Sequence, residues 1–88
     1  MPTISIFFGI VVQMYWRDHT PPHFHAYYQG FEALVSLETG EILGGYLPPG
    51  ALRLVKEWVA EKRSELMANW ERARLLQPLQ AVPGADQA

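Results

Sequence analysis

Two proline pairs divide this 88-residue chain into segments with different backbone requirements. Proline lacks an N–H group, fixes its own φ at about −65° and disfavours helix in the preceding residue. Pro21-Pro22 therefore predicts a loop over residues 18–22, in which a cis peptide bond is one of the accessible states. Pro48-Pro49 suits the first turn of a helix, where missing N–H groups cost least. We thus expect strands around the first pair and a helix after the second.

The segment before Pro48 has the composition of strands joined by tight turns. It is rich in β-branched and aromatic residues, and glycine interrupts it at short intervals. The predicted first strand runs from about Ile4 to Arg17, with a bend or bulge at Gly9. Three further strands and two turns are predicted at 23–28, 31–38 and 42–47, and at Gln29-Gly30 and Thr39-Gly40. The expected sheet is a four-stranded antiparallel β-meander.

The segment after Pro48 has apolar residues at helical spacing and predicts a long C-terminal helix that covers the sheet. These residues are Leu52, Val55, Val59, Leu66 and Trp70. Charged residues replace the apolar position near Lys62-Arg63, and Ser64 could cap a second helix, so the helix is expected to bend or divide there. With the helix ending at Gln77-Pro78, we predict a single α+β domain over residues 1–76 and a flexible tail over residues 77–88.

Composition limits the classes of protein to which the chain can belong. A hydrophobic content of 49% with 18% charged residues is typical of one small globular domain. A formal charge of −2 gives no general attraction to phosphate backbones. There is no cysteine for disulfides, no signal-peptide pattern, and no apolar run long enough for a membrane span. We expect a cytoplasmic protein without a membrane partner.

The most distinctive chemical feature is a cluster of all three histidines, His19, His23 and His25, next to Arg17 and Asp18. Side chains alternate along a strand, so His23 and His25 are expected to project from the same face. Such a pair can bind zinc or another divalent ion, with Asp18 or His19 as a further ligand from the loop. The predicted metal ligands are therefore Asp18, His19, His23 and His25. An open fourth position would permit hydrolysis.

Two other interpretations of the histidine cluster remain open at this point. Without a metal, one neutral imidazole could act as a base and a protonated one as an acid, with Arg17 stabilising the transition state of RNA cleavage. Bases could then stack on Tyr15, Tyr27 and Tyr28. Alternatively, the histidines only order the Pro21-Pro22 loop by donating hydrogen bonds to its carbonyl groups, with Asp18 accepting others.

A resemblance to a known family rests on three segments, residues 1–10, residues 14–25 and residues 66–70, of which the second contains His19-Thr-Pro-Pro-His-Phe-His25. Together they resemble the bacterial DUF4160 family, a domain of unknown function, over residues 1–76. The resemblance draws attention to Asp18, His19, Pro21, Pro22, His23, Phe24 and His25. It also implies a partner, because relatives are often encoded beside another small protein, in an arrangement that has prompted toxin–antitoxin suggestions.

The chain departs from the pattern of that family at two positions. Ile6 stands where relatives more often carry a charged residue, and Thr20 stands where asparagine is frequent. An apolar Ile6 could extend a face that a partner covers.

Two functions follow as expectations. The first is a protein-binding module that acts with a co-encoded partner in a toxin–antitoxin-like pair and could influence nucleic acid through that partner; a homodimer is equally permitted. The alternative is a small hydrolase or ribonuclease that uses His19, His23 and His25 with Asp18 and Arg17, with or without a divalent metal. If catalysis is the function, single histidine substitutions should remove turnover while the fold stays intact.

Overall fold

The computed structural model describes residues 2–87 and has a sheet of five antiparallel strands followed by one long helix. The elements are β1 (Thr3–Phe7), β2 (Ile10–Gln13), β3 (His23–Tyr28), β4 (Phe31–Ser36), β5 (Ile42–Gly45) and α1 (Pro49–Arg74). Each strand pairs with the next, so the sheet is a meander in chain order. The predicted α+β class and the antiparallel sheet with one C-terminal helix are confirmed. The predicted strand number is wrong, because the sheet has five strands rather than four.

The additional strand arises at Phe8-Gly9, where a single strand with a bend had been expected. Phe7 pairs with Ile10, so Phe8 and Gly9 between them form a complete two-residue hairpin turn, with φ of 50° and 77°. A type I′ turn requires positive φ at both central residues, and phenylalanine adopts such angles far less readily than glycine. Because Phe8 is not a typical residue for such a turn, the sequence contains no clear signal for it. The predicted Gln29-Gly30 turn has the same form, with φ of 47° and 84°.

The loop between β2 and β3 is held against the end of the helix. The indole Nε1 of Trp16 donates a hydrogen bond to the Gln77 carbonyl at 2.9 Å, and the backbone N–H of Arg17 donates to the Ala73 carbonyl at 3.4 Å. The Thr20–Pro21 peptide bond is cis. These contacts position Asp18, the next residue, beside the start of β3.

The two faces of the sheet have different surroundings. Phe24 and Ala26 on β3 are fully buried in the core, and the Phe24 ring lies 5.7 Å from the ring of Trp58 on α1. Strand pairing aligns His25 with Gln13 and Leu34, and Tyr27 with Glu32, on the opposite side. We call this second side the polar face; it carries Gln13, Tyr15, His25, Tyr27 and Glu32. Most of its side chains remain half-buried.

The helix and the residues after it complete the core. At Lys62 the backbone leaves helical geometry, with φ −110° and ψ 16°, at the position where a bend was predicted. Residues 77–87 contain no helix or strand, yet Val82 is buried and its N–H donates to the Ile4 carbonyl at 2.8 Å. Trp58 Nε1 donates to the Pro83 carbonyl at 2.8 Å. These contacts describe packing and not motion, so the flexibility of the tail and the domain limit at residue 76 stay predictions.

Within residues 2–87, no helix combines the length and the apolar character that crossing a membrane requires.

Candidate functional site

Asp18, His23 and His25 meet at the start of β3. His23 Nε2 lies 3.0 Å from Asp18 Oδ2, and His25 Nε2 lies 3.3 Å from the same oxygen. Each of the three residues offers one potential metal-binding atom, and these atoms all lie within 4.8 Å of one another. The strand's two-residue period brings the two histidines together, and the loop returns Asp18 to them. The predicted convergence of the two imidazoles therefore occurs with Asp18 as the third member.

The hydrogen bonds of His23 indicate which of its two ring nitrogens carries a hydrogen. Its Nδ1 lies 2.8 Å from the carbonyl oxygen of Pro21, and because a carbonyl can only accept, Nδ1 carries the hydrogen and donates it. In the neutral ring, Nε2 is then an acceptor that points at a carboxylate oxygen, which is also an acceptor. Two acceptors at 3.0 Å require a proton or a metal ion between them.

The second histidine, His25, lies between two carboxylates. Its Nδ1 is 3.3 Å from Glu32 Oε2, on the side of the ring away from Asp18. If Nδ1 donates to Glu32, the neutral ring again presents the Nε2 lone pair to Asp18 Oδ2. The site thus contains two imidazole nitrogens that converge on one carboxylate oxygen, with an acceptor available behind each ring.

Two of these distances are compatible with the dimensions of a metal site. Zinc binds histidine nitrogen and carboxylate oxygen at about 2.0–2.2 Å, which places the ligand atoms of a tetrahedral site roughly 3.3 Å apart. The two contacts to Asp18 Oδ2, at 3.0 and 3.3 Å, are close to that spacing. Two histidines and one carboxylate can hold zinc in hydrolytic enzymes or ferrous iron in oxygenases, and both arrangements leave a position for water or substrate.

Burial differs among the three residues of the group. The side chain of His23 is 1% exposed and its ring lies 5.4 Å from that of Trp70, whereas His25 and Asp18 are each 16% exposed. In the metal-free protein, burial raises the pKa of Asp18, but hydrogen bonds donated by His25 and His19 and the charge that His23 carries when protonated lower that pKa by more than burial raises it. Asp18 is therefore an anionic carboxylate at neutral pH, which is the form that binds metal.

His19 lies beside this group and contacts the other oxygen of Asp18. Its Nδ1 is 2.8 Å and its backbone N–H 2.9 Å from Asp18 Oδ1, while its side chain is 80% exposed. His19 therefore orients the carboxylate and stays outside the three-residue group. Arg17 is exposed with φ 57°, and no ion pair joins its guanidinium to Asp18 within the described residues. The expected ligand role of His19 and the expected catalytic roles of both residues stay predictions.

A row of hydrogen-bonded side chains extends from His25 along the polar face. The Tyr15 hydroxyl donates to Gln13 Oε1 at 2.9 Å, so the Tyr27 hydroxyl, 2.8 Å away, donates to Tyr15. The Tyr15 ring meets the His25 ring edge-on at 4.5 Å. Burial, followed by the hydrogen bond with Tyr15, raises the pKa of Tyr27, so this phenol stays protonated. Tyr28 packs against the core instead, so it is not part of this row.

Glu32 is the member of the site that the sequence analysis missed, although a signal for it was present. The two-residue turn at Gln29-Gly30 places Tyr27 opposite Glu32 and His25 opposite Leu34. Residues opposite each other share a face, and diagonal neighbours remain within reach of long side chains. Once that turn was predicted, the register alone placed Glu32 next to His25.

Comparison with protein families supplies one match, the family described as "Domain of unknown function (DUF4160)", over residues 9–71. The chain belongs to the DUF4160 family. The resemblance drawn from the sequence is thereby confirmed, and the matched range includes Asp18, the three histidines and Glu32. No curated protein and no solved structure matches the chain. The DUF4160 match identifies the family and assigns no function to the site.

Proposed function

We propose that this DUF4160 protein is a metal-dependent hydrolase whose reaction centre consists of Asp18, His23 and His25. One observation carries the proposal: Nε2 of His23 and Nε2 of His25 approach the same carboxylate oxygen at 3.0 and 3.3 Å, and the Nδ1 of each ring has its own acceptor. Because acceptors that converge in this way repel one another, a proton or a metal ion must lie among them, and we assign that position to a metal ion. Of the two expected functions, this geometry favours the hydrolase.

The ligand set also suits hydrolytic chemistry. A divalent ion with three protein ligands keeps a coordination position for water, and zinc lowers the pKa of such water to about 7. That water can attack the carbonyl group of an ester or amide or the phosphorus of a phosphodiester. His25 and Asp18 are partly exposed, so substrate has access to their side of the group. The phenols of Tyr15 and Tyr27 line the adjacent surface and offer hydrogen bonds to a polar substrate.

A calorimetric titration of the metal-stripped protein with zinc, nickel and manganese tests the metal site. We expect 1:1 binding at micromolar affinity or tighter, reduced by at least about 100-fold in His25→Ala, since removing an outer-sphere partner alone already costs up to that much. His19→Ala is the comparison variant: His19 contacts only the other oxygen of Asp18, which it orients, so its loss should weaken binding less than His25→Ala does. Equal affinity in His25→Ala, or no binding by the wild type, would contradict the metal site.

Turnover is tested separately with chromogenic esters, amides and phosphodiesters and with RNA. The metal-loaded wild type should hydrolyse one of these classes, and His25→Ala should lose at least about a hundredfold in rate while keeping its circular dichroism spectrum. RNA cleavage that persists in metal-stripped protein and disappears in His19→Ala would instead support a metal-free ribonuclease. A folded, metal-loaded protein that hydrolyses no member of these classes would contradict the hydrolase.

The second candidate function, a module for binding a co-encoded partner, rests on a different surface. Phe31, Leu43 and Tyr46 are exposed beside β5, and the rings of Phe31 and Tyr46 lie 5.4 Å apart. β5 is the last strand in the sheet, and no described strand pairs with its outer side. Exposed apolar side chains at a free sheet edge favour strand addition or docking by a partner. If the docked partner is the co-encoded protein that the family resemblance implies, the two would form a toxin–antitoxin-like pair.

Titration of the purified co-encoded protein tests this candidate. Leu43→Lys should weaken the complex strongly, whereas Leu75→Lys, at an equally exposed leucine just after the helix, is the matched control and should not. Light scattering on the protein alone distinguishes a homodimer formed through the same edge. Unchanged affinity in Leu43→Lys would exclude this edge as the docking surface.

A further inference from the structure

Glu32 lies behind His25 as seen from the proposed metal position. Its Oε2 is 3.3 Å from His25 Nδ1, while His25 Nε2 is 3.3 Å from Asp18 Oδ2. Nδ1 and Nε2 point away from opposite sides of the imidazole ring, so one ring cannot direct both at the same ion. The carboxylate of Glu32 is therefore in the outer sphere of the site, and it does not belong to the group of converging atoms from Asp18, His23 and His25.

We propose that Glu32 is a positioning residue, which holds His25 with a proton on Nδ1 so that the Nε2 lone pair faces the metal. This inference rests on the proposed metal-dependent function and adds a residue to it. Histidines that bind metal through one nitrogen commonly donate the other N–H to a carboxylate or a carbonyl, which fixes the tautomer and ring orientation and raises the basicity of the ligand.

The site contains an internal comparison for this role. His23 is held in the same way by the Pro21 carbonyl at 2.8 Å, so both histidines have an acceptor at Nδ1 and point Nε2 at Asp18. The acceptor for His23 is main chain and cannot be removed by changing a side chain. The acceptor for His25 is a side chain that is 50% exposed, so a single substitution removes it without opening the core.

Glu32 is held in place by the register of the hairpin. The turn at Gln29-Gly30 pairs Tyr27 with Glu32 and His25 with Leu34, so Glu32 is the diagonal neighbour of His25. A partly exposed contact between a histidine and a carboxylate contributes little to folding. Loss of an outer-sphere carboxylate typically weakens metal binding by about 10–100-fold. The two roles therefore predict clearly different results for the same substitution.

Zinc affinity, measured by competition with a chromophoric chelator, gives the first test. Glu32→Ala should bind zinc about 10–100-fold more weakly than the wild type. Glu32→Gln should lose less, because its amide oxygen still accepts the hydrogen from Nδ1. Glu38→Ala is the matched control, since it removes an exposed carboxylate just beyond the end of β4, the strand that carries Glu32, and it should match the wild type.

Nitrogen-15 NMR of the zinc-loaded protein provides a readout that a merely structural role would not change. In the wild type, His25 should show a protonated Nδ1 and a metal-bound Nε2. In Glu32→Ala, the Nδ1 proton should exchange faster with water or the metal-bound nitrogen should change, while the signals of His23 stay as they were. A wild type that binds no zinc would overturn the metal site and this inference together. Zinc binding by Glu32→Ala equal to that of Glu38→Ala, with the His25 signals unchanged, would overturn this inference alone.

Discussion

The two faces of β3 differ in burial and polarity, although their residues alternate along the same strand. Phe24 and Ala26 lie in the core without any exposed surface, whereas His25 and Tyr27 point to the polar face and satisfy their polar atoms with other side chains. Apolar burial dominates folding stability, while half-exposed hydrogen-bonded groups contribute modestly. Substitutions on the core face should therefore affect folding most, and substitution of His25 on the polar face should affect metal binding. His23 is the exception, since it has the register of the polar face and the burial of the core.

The largest effect is expected on the core face, for Phe24→Ala. Phe24 is fully buried and meets the ring of Trp58, so its truncation should lower the free energy of unfolding by about 3–5 kcal/mol. Urea unfolding monitored by tryptophan fluorescence measures the change. Zinc affinity of the remaining folded protein should be close to the wild-type value. A loss below about 1 kcal/mol would mean that this face does not carry the stability of the domain.

The next effect sharpens the comparison by placing His23→Ala beside His25→Ala. Both variants should lose zinc binding, but only His23→Ala should also lose about 1–3 kcal/mol in unfolding free energy, because it removes a buried ring that packs near Trp70 and donates to the Pro21 carbonyl. His25→Ala, at a partly exposed position, should lose less than about 1 kcal/mol. Urea unfolding of metal-free protein measures both. Equal losses would show that burial does not separate the two histidines.

The difference between these two histidines marks the limit of what the sequence could predict about the site. Strand alternation was enough to place His23 and His25 together, since it is a local property of the chain. The burial of His23 depends on Trp70, which lies 47 positions further along the chain (70 − 23). The position of Asp18 depends on the contact of Arg17 with Ala73. Contacts of that kind leave no periodic pattern in the sequence.

The fold was predicted correctly where a turn contained typical turn residues and where apolar residues followed the spacing of a helix. Gln29-Gly30 and the apolar spacing after Pro48 led to the right hairpin and the right helix. The hairpin at Phe8-Gly9 was missed because phenylalanine is not a usual residue at positive φ, and the pairing of β1 with β2 outweighs that local preference. Local preference is a weak guide wherever tertiary pairing overrides it.

A smaller effect is expected for Tyr27→Phe on the polar face. This substitution removes the hydroxyl that donates to Tyr15 and leaves the ring in place. The unfolding free energy should fall by about 0.5–1.5 kcal/mol, the usual contribution of one hydrogen bond. Zinc affinity should not change, because the Tyr27 ring lies nearly parallel to the His25 ring, with centroids 6.5 Å apart, and the substitution leaves that ring in place. A larger loss of stability would mean that the polar face supports the fold more than its exposure suggests.

The smallest effect is expected in the turn at Phe8-Gly9, which the sequence analysis did not predict. Phe8 and Gln29 hold the same position in two-residue turns, with φ of 50° and 47°, and asparagine tolerates such angles better than either residue. Phe8→Asn should therefore raise the unfolding free energy by up to about 1 kcal/mol, since the exposed Phe8 side chain contributes little burial. Gln29→Asn is the control with the same backbone geometry, and a similar gain there would assign the effect to the turn alone. If Phe8→Asn instead lowers stability in urea unfolding while Gln29→Asn does not, the Phe8 ring supports the hairpin through packing. The side of the sheet near β1 would then contribute to folding in the same way as the helix-covered face.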